Sequence, residues 1–140
     1  MGIKKQEFYE GAALHILARS GEAVRFRYAP PFFELNGEIL LYLKYSTGIR
    51  SPWGFTFTAD EQVLLHETAS ERAVLLGLIC GSDGVAAINL EDLRSIAAPR
   101  KAAVRVSCYR SHGEHYEVNG PDGRLANKVP PSDWQRILRA

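Results

Sequence analysis

Two short runs around one dipeptide constrain this chain more than anything else in it. Residues 32–35 and 38–45 flank Asn36-Gly37, a pair that readily takes the positive φ angles of a tight hairpin turn. In the second run Ile39, Leu41 and Leu43 alternate with Leu40, Tyr42 and Lys44, so the strand is apolar on nearly both faces. A strand of that kind has to be covered on both sides, which places it in the middle of its sheet.

The other elements follow from local patterning. Phe8, Ala12, Ile16 and Leu17, with Tyr9 and Ala13, fall on one side of a helix over residues 5–19. Ser20-Gly21 closes that helix. Residues 22–28 alternate as a strand, broken by Pro30-Pro31, and residues 54–58 form a short strand. Thr58 and Glu61 have the spacing of a capping box, predicting a helix from there to about Thr68. Residues 72–80 and 85–88 are strands around a Gly81–Gly84 turn, and Asn89 with Asp92 caps a short helix ending near Ala97. Residues 103–110, 116–119 and 125–129 read as a meander, and residues 131–134 open a last helical turn or two. The fold class is therefore mixed, α+β. A central, mostly antiparallel sheet carries an N-terminal helix, a middle helix and a C-terminal β-meander, all in a single domain over 1–140.

Composition narrows the function classes. At 140 residues, 46% hydrophobic and 24% charged, the chain is long enough for a core and too apolar for disorder. A formal net charge of +1 gives no overall field toward nucleic acid or anionic lipid, so such a surface would be a local patch. The longest apolar stretch, residues 73–80, is too short to span a bilayer, and no apolar signal region follows Lys4 and Lys5. Cys80 and Cys108 lie in apolar runs with no C-x-x-C spacing, as expected for buried thiols in a reducing cytoplasm. The expectation is a cytoplasmic protein with no membrane partner.

Magnesium-dependent phosphodiester cleavage needs carboxylates to hold a hard cation and a positive group near the phosphate. Glu34 on the first hairpin arm, Tyr42 and Lys44 on the second, and Glu10 on the preceding helix are the candidates. A helix bearing Glu, a strand, a hairpin, a lysine on the central strand, then a helix and a strand resembles the PD-(D/E)xK nuclease superfamily. The likeness is greatest to its Holliday-junction-resolvase-like members. Residues 7–21 resemble that family's opening helix, and Phe33-Glu-Leu-Asn-Gly-Glu-Ile-Leu-Leu-Tyr-Leu-Lys44 resembles its signature hairpin. The likeness covers about residues 7–90. It implies Glu10 and Glu34 as magnesium ligands, Lys44 at the scissile phosphate, and DNA or RNA as partner. Glu34 stands where the family usually has Asp, and Tyr42 where it has an acid or glutamine. The turn decides whether Glu34 can join Lys44. A two-residue type I′ turn sets Glu34 opposite Ile39, facing away. A three-residue loop with a bulge sets it opposite Glu38, on the face of Tyr42 and Lys44.

Residues 45–55 are the most unusual segment. Arg50 with Ser46, Thr47 and Ser51 could hold a phosphate, and Trp53 could stack on a base or cover the core. Arg25, Arg27, Arg50 and Lys44 could form one basic patch, and Arg105, Arg110, Arg124 and Lys128 another. His112 and His115 flank Glu114 in a Gly-containing loop and read as exposed polar residues. Three functions stay open. They are a metal-dependent nuclease, a non-cutting relative that binds nucleic acid or a protein, and an interaction or immunity-type module with an exposed apolar patch beside Trp53.

Overall fold

The structure is a computed structural model and describes residues 2–139. Helix α1 (Lys5–Ala18) starts after an extended Lys4, whose N–H is accepted by Glu7 at 2.8 Å. Strand β1 (Phe26–Ala29) is shorter than the strand expected over 22–28. The reason is Asn36, whose side chain accepts Arg25 N–H at 2.7 Å and donates to the Ala23 carbonyl at 3.3 Å, taking the place of a strand ladder.

Strands β2 (Phe32–Leu35) and β3 (Ile39–Ser46) form the expected hairpin, in a register that neither anticipated turn gives. Leu35 pairs with Ile39 and Glu34 with Leu40, so Asn36, Gly37 and Glu38 form the loop. Asn36 and Gly37 both take positive φ (52° and 71°), as the dipeptide allows. Glu34 thereby shares a face with Leu40, Tyr42 and Lys44, opposite Leu40 rather than Glu38.

Strand β4 (Trp53–Phe57) leaves this sheet, and helix α2 (Ala59–Ala69) follows from the predicted capping box. Thr58 Oγ1 accepts Glu61 N–H at 3.1 Å, while Glu61 Oε1 accepts Thr58 N–H at 3.0 Å. The chain then returns as β5 (Ala73–Cys80), parallel to β3, and β6 (Gly84–Asn89), antiparallel to β5. The sheet order β1-β2-β3-β5-β6 puts β3 at its centre, as its two apolar faces require.

Helix α3 (Leu90–Ile96) is capped by Asn89. Strands β7 (Val104–Tyr109), β8 (Glu117–Gly120) and β9 (Gly123–Arg124) join β4 in a second, antiparallel sheet ordered β4-β7-β8-β9. The strand expected over 125–129 does not form. Leu125 still donates its N–H to the Val118 carbonyl at 3.0 Å, and the chain next pairs at Val129, which makes an isolated bridge to Tyr116. Pro130 and Pro131 follow at once, and without N–H groups they cannot extend a ladder. Helix α4 (Asp133–Arg136) and a 3-10 turn (Ile137–Arg139) complete the fold.

The layers follow the alternation of β3. Leu41 and Leu43 pack with Ala13 and Leu17 of α1 and with Trp134 of α4. Leu40 and Tyr42 pack with Phe55, Phe57, Val106, Cys108 and Leu65, under the second sheet and α2. Cys80 and Cys108 are both free and buried in that second layer, as expected. Among the described residues no helix is long and apolar enough to cross a membrane.

Candidate functional site

Strand β2 pairs with β3 only at residues 39–41, so among the described residues no strand flanks 42–46 on that side. A cavity of about 230 Å³ lies there, lined by Gln6, Glu10, Pro31, Tyr42, Lys44 and Glu61 among others. Lys44 sits on the face that meets α2, with its ammonium 4.9 Å from the Phe57 ring centroid. Its Nζ donates to Glu61 Oε2 at 2.7 Å, and both side chains are about four-fifths covered (19% and 20% exposed). The Tyr42 hydroxyl donates to the same Oε2. Glu61 thus uses one oxygen to cap its helix and the other to hold two residues of the central strand.

The electrostatics agree with this arrangement. Burial on its own would raise the Glu61 carboxyl. The hydrogen bonds from Lys44, the Thr58 N–H and Tyr42 outweigh it and hold the group below its ordinary value. Burial first, and donation to Glu61 second, push the Tyr42 phenol well above its usual range. Lysine, phenol and carboxylate form a closed neutral cluster.

Of the three residues proposed for catalysis, the fold brings two to this cavity and leaves one away from it. Glu10 lines it, accepting from Gln6 Nε2 at 2.9 Å. Glu34 does not. It lies opposite Leu40, four residues or ~13 Å along β3 from Lys44. Its carboxylate is held between Arg27 (3.2 Å) and Arg72 (3.1 Å), and these hydrogen bonds keep its pKa low. The expected convergence of Glu10, Glu34 and Lys44 is therefore corrected: Glu61, from α2, takes the place beside Lys44. A magnesium ion shared by Glu10 and Glu34 does not fit this arrangement. Glu61 is already occupied by an ammonium, and among the described residues no group of three or more His, Cys, Asp and Glu side chains could hold a metal.

A second concavity, of about 670 Å³, opens between residues 49–53 and 109–113. Trp53 is at its floor, 2% exposed, with Nε1 donating to the Gly48 carbonyl at 2.7 Å. A stacking role for Trp53 is thereby excluded, because its ring is covered by the core. The same loop rests on Gly81 (φ 55°), where a Cβ would collide with the Gly48 carbonyl oxygen. Arg110 stands on the wall. Its Nη1 donates to Asp83 Oδ2 at 2.8 Å and its Nε to the Glu114 carbonyl at 2.6 Å. Asp83 also accepts from the Tyr116 hydroxyl at 2.6 Å. The Asp83 carboxylate raises the Arg110 pKa further, keeping the guanidinium charged. Arg50 is exposed and has no hydrogen-bond or ion-pair partner among the described residues. Ile49 (85% exposed) and Tyr109 (46% exposed) present apolar surface at the rim.

The basic patch expected from Arg25, Arg27, Arg50 and Lys44 does not assemble, because these side chains have different neighbours. Arg27 pairs with Glu34, Lys44 pairs with Glu61, and Arg50 lies by Arg110 in the second concavity. Arg25 is exposed just before β1. His112 and His115 are exposed in the loop after β7, as expected.

Sequence reasoning found Glu61 as a helix cap and missed it as the partner of Lys44. It also missed Tyr109 and Asp83, for which no local spacing gives a signal. No protein-family model matches this chain, and no curated protein or solved structure matches it.

Proposed function

We propose that this chain is a nucleic-acid-binding domain on a restriction-endonuclease-like core, and that it binds without cutting. The end of β3 carries this reading. A lysine stands on the central strand beside a cavity that also holds Glu10, in the order the family resemblance implies. Its ammonium is closed by Glu61, and the acid position two residues before it holds Tyr42, whose phenol is not a carboxylate ligand at neutral pH. The order of α1, antiparallel β1-β2-β3, α2 and then β5 parallel to β3 supports the core. The arginines at the second concavity support a polyanionic partner.

The test is binding and cleavage of single-stranded, duplex and branched DNA and RNA, with magnesium or manganese, by wild type and Lys44→Ala. Salt-sensitive binding with intact substrate is the expected result. Metal-dependent cutting that disappears in Lys44→Ala would overturn the non-cutting half. Absence of binding would overturn the whole reading.

A second reading, a protein-interaction or immunity-type module, is favoured by one observation. Ile49 and Tyr109 form exposed apolar surface above Trp53. It would be preferred if pure protein ignored every nucleic acid.

A further inference from the structure

Resting on the nucleic-acid reading, we propose that the concavity between residues 49–53 and 109–113 is a subsite for one unpaired nucleotide of a single strand. Tyr109 stacks on the base, while Arg50 and Arg110 hold the phosphate.

Three features of the site lead there. The first is charge. Asp83 balances Arg110, and Arg50 then leaves the concavity with excess positive charge. The second is orientation. Two hydrogen bonds and the Tyr116 ring, whose centroid lies 5.5 Å from Cζ, fix the planar guanidinium of Arg110 at the wall of the concavity, an orientation suited to phosphate recognition. Ser51 Oγ donates to the Arg110 carbonyl at 3.1 Å, tying the loop that carries Arg50 to the strand end that carries Arg110. The third is the pairing of a half-exposed ring with these cations. Tyr109 belongs to the outward face of the second sheet, and a stacked base needs such an open ring. A volume of about 670 Å³ lies within the usual range of small-ligand sites. A duplex keeps its bases stacked on one another and cannot offer a free face to Tyr109, so a single strand is the matching ligand.

The probe is a fluorescein-labelled mixed-sequence 12-nucleotide DNA, with an RNA of the same sequence and the corresponding DNA duplex, read by anisotropy at low salt. The expected order is single strand tighter than duplex. Tyr109→Ala should weaken single-strand binding about tenfold, with Tyr109→Phe restoring it. Arg50→Ala should weaken it and lower the salt slope by about one unit. Both side chains are exposed, so the variants should keep the wild-type fold and its circular dichroism. Wild-type binding that both variants retain, with the loss instead in Arg25→Ala or Arg27→Ala, would overturn the subsite and leave the nucleic-acid reading standing. So would tighter binding of the duplex. No binding of any probe would overturn both.

Discussion

Lys44 and Glu61 lie 2.7 Å apart although 17 residues separate them in the chain, and that contact joins the central strand to the helix that crosses over it. The same carboxylate accepts the Tyr42 hydroxyl and the Thr58 N–H. One acidic side chain therefore fixes the start of α2, the end of β3 and the charge state of the cavity between them.

Glu61→Ala should destabilise the fold more than Thr58→Ala does. Losing the Thr58 side-chain cap costs about 1 kcal/mol, whereas Glu61→Ala keeps that cap through its backbone N–H but leaves the Thr58 N–H and the largely covered Lys44 ammonium and Tyr42 phenol without their acceptor, about 1–3 kcal/mol. Glu61→Gln keeps a capping side chain and should fall between the two. Urea unfolding of the three variants measures this. A loss in Glu61→Ala no larger than that in Thr58→Ala would overturn this ordering.

Acid should destabilise the fold through two carboxylates. Arg27 and then Arg72 hold Glu34 below its ordinary value of 4.5, and Glu61 is also lowered, its bonds to Lys44, Thr58 and Tyr42 outweighing burial. A carboxyl whose folded pKa lies below its unfolded one stabilises the protein above the unfolded value. That contribution is lost as pH falls through the folded value. Urea midpoints should therefore drop as pH goes below about 4.5, with a shallower drop in Glu61→Gln and in Glu34→Gln. Parallel curves for wild type and both variants would refute the assignment.

Gly77→Ala should cost about 1–3 kcal/mol by overpacking. A Cβ there would lie 2.8 Å from Leu43 Cδ2 and 2.9 Å from the Trp134 ring. Trp134 has little freedom to move, since it is 1% exposed and its Nε1 donates to the Ala13 carbonyl at 2.9 Å. Thermal unfolding followed by tryptophan fluorescence reads the loss. An unchanged midpoint would mean that Trp134 is not seated on β5.

Tyr116→Phe should cost about 1–2 kcal/mol, because Asp83 loses a part-buried donor. If Asp83 orients Arg110 as described, the same variant should also weaken single-strand binding while leaving the Lys44–Glu61 region untouched. Hydrogen exchange at residues 109–113 compared with residues 58–61 separates the two effects. Equal change in both segments would point to general loosening instead.

Much of the fold was fixed by relations only a few residues long. The alternation of residues 39–44 placed β3 at the centre of its sheet, because a strand apolar on both faces is stable only when covered on both. Asn36-Gly37 located the hairpin, and Thr58 with Glu61 located the start of α2, since turn dihedrals and cap geometry depend on adjacent residues. What lay beyond that range was decided by tertiary structure. The extra loop residue at Glu38 set which residue Glu34 faces, and Arg27 of β1 with Arg72, just before β5, then held it away from Lys44. Glu61 reached Lys44 only because the crossover laid α2 against the second face of the sheet. The departure of β4 into a second sheet brought residues 49–53 beside 109–113, and so made the arginine-bearing concavity. Periodicity specifies which face of an element is apolar. It does not specify which two faces meet, because that choice depends on how every layer packs at once.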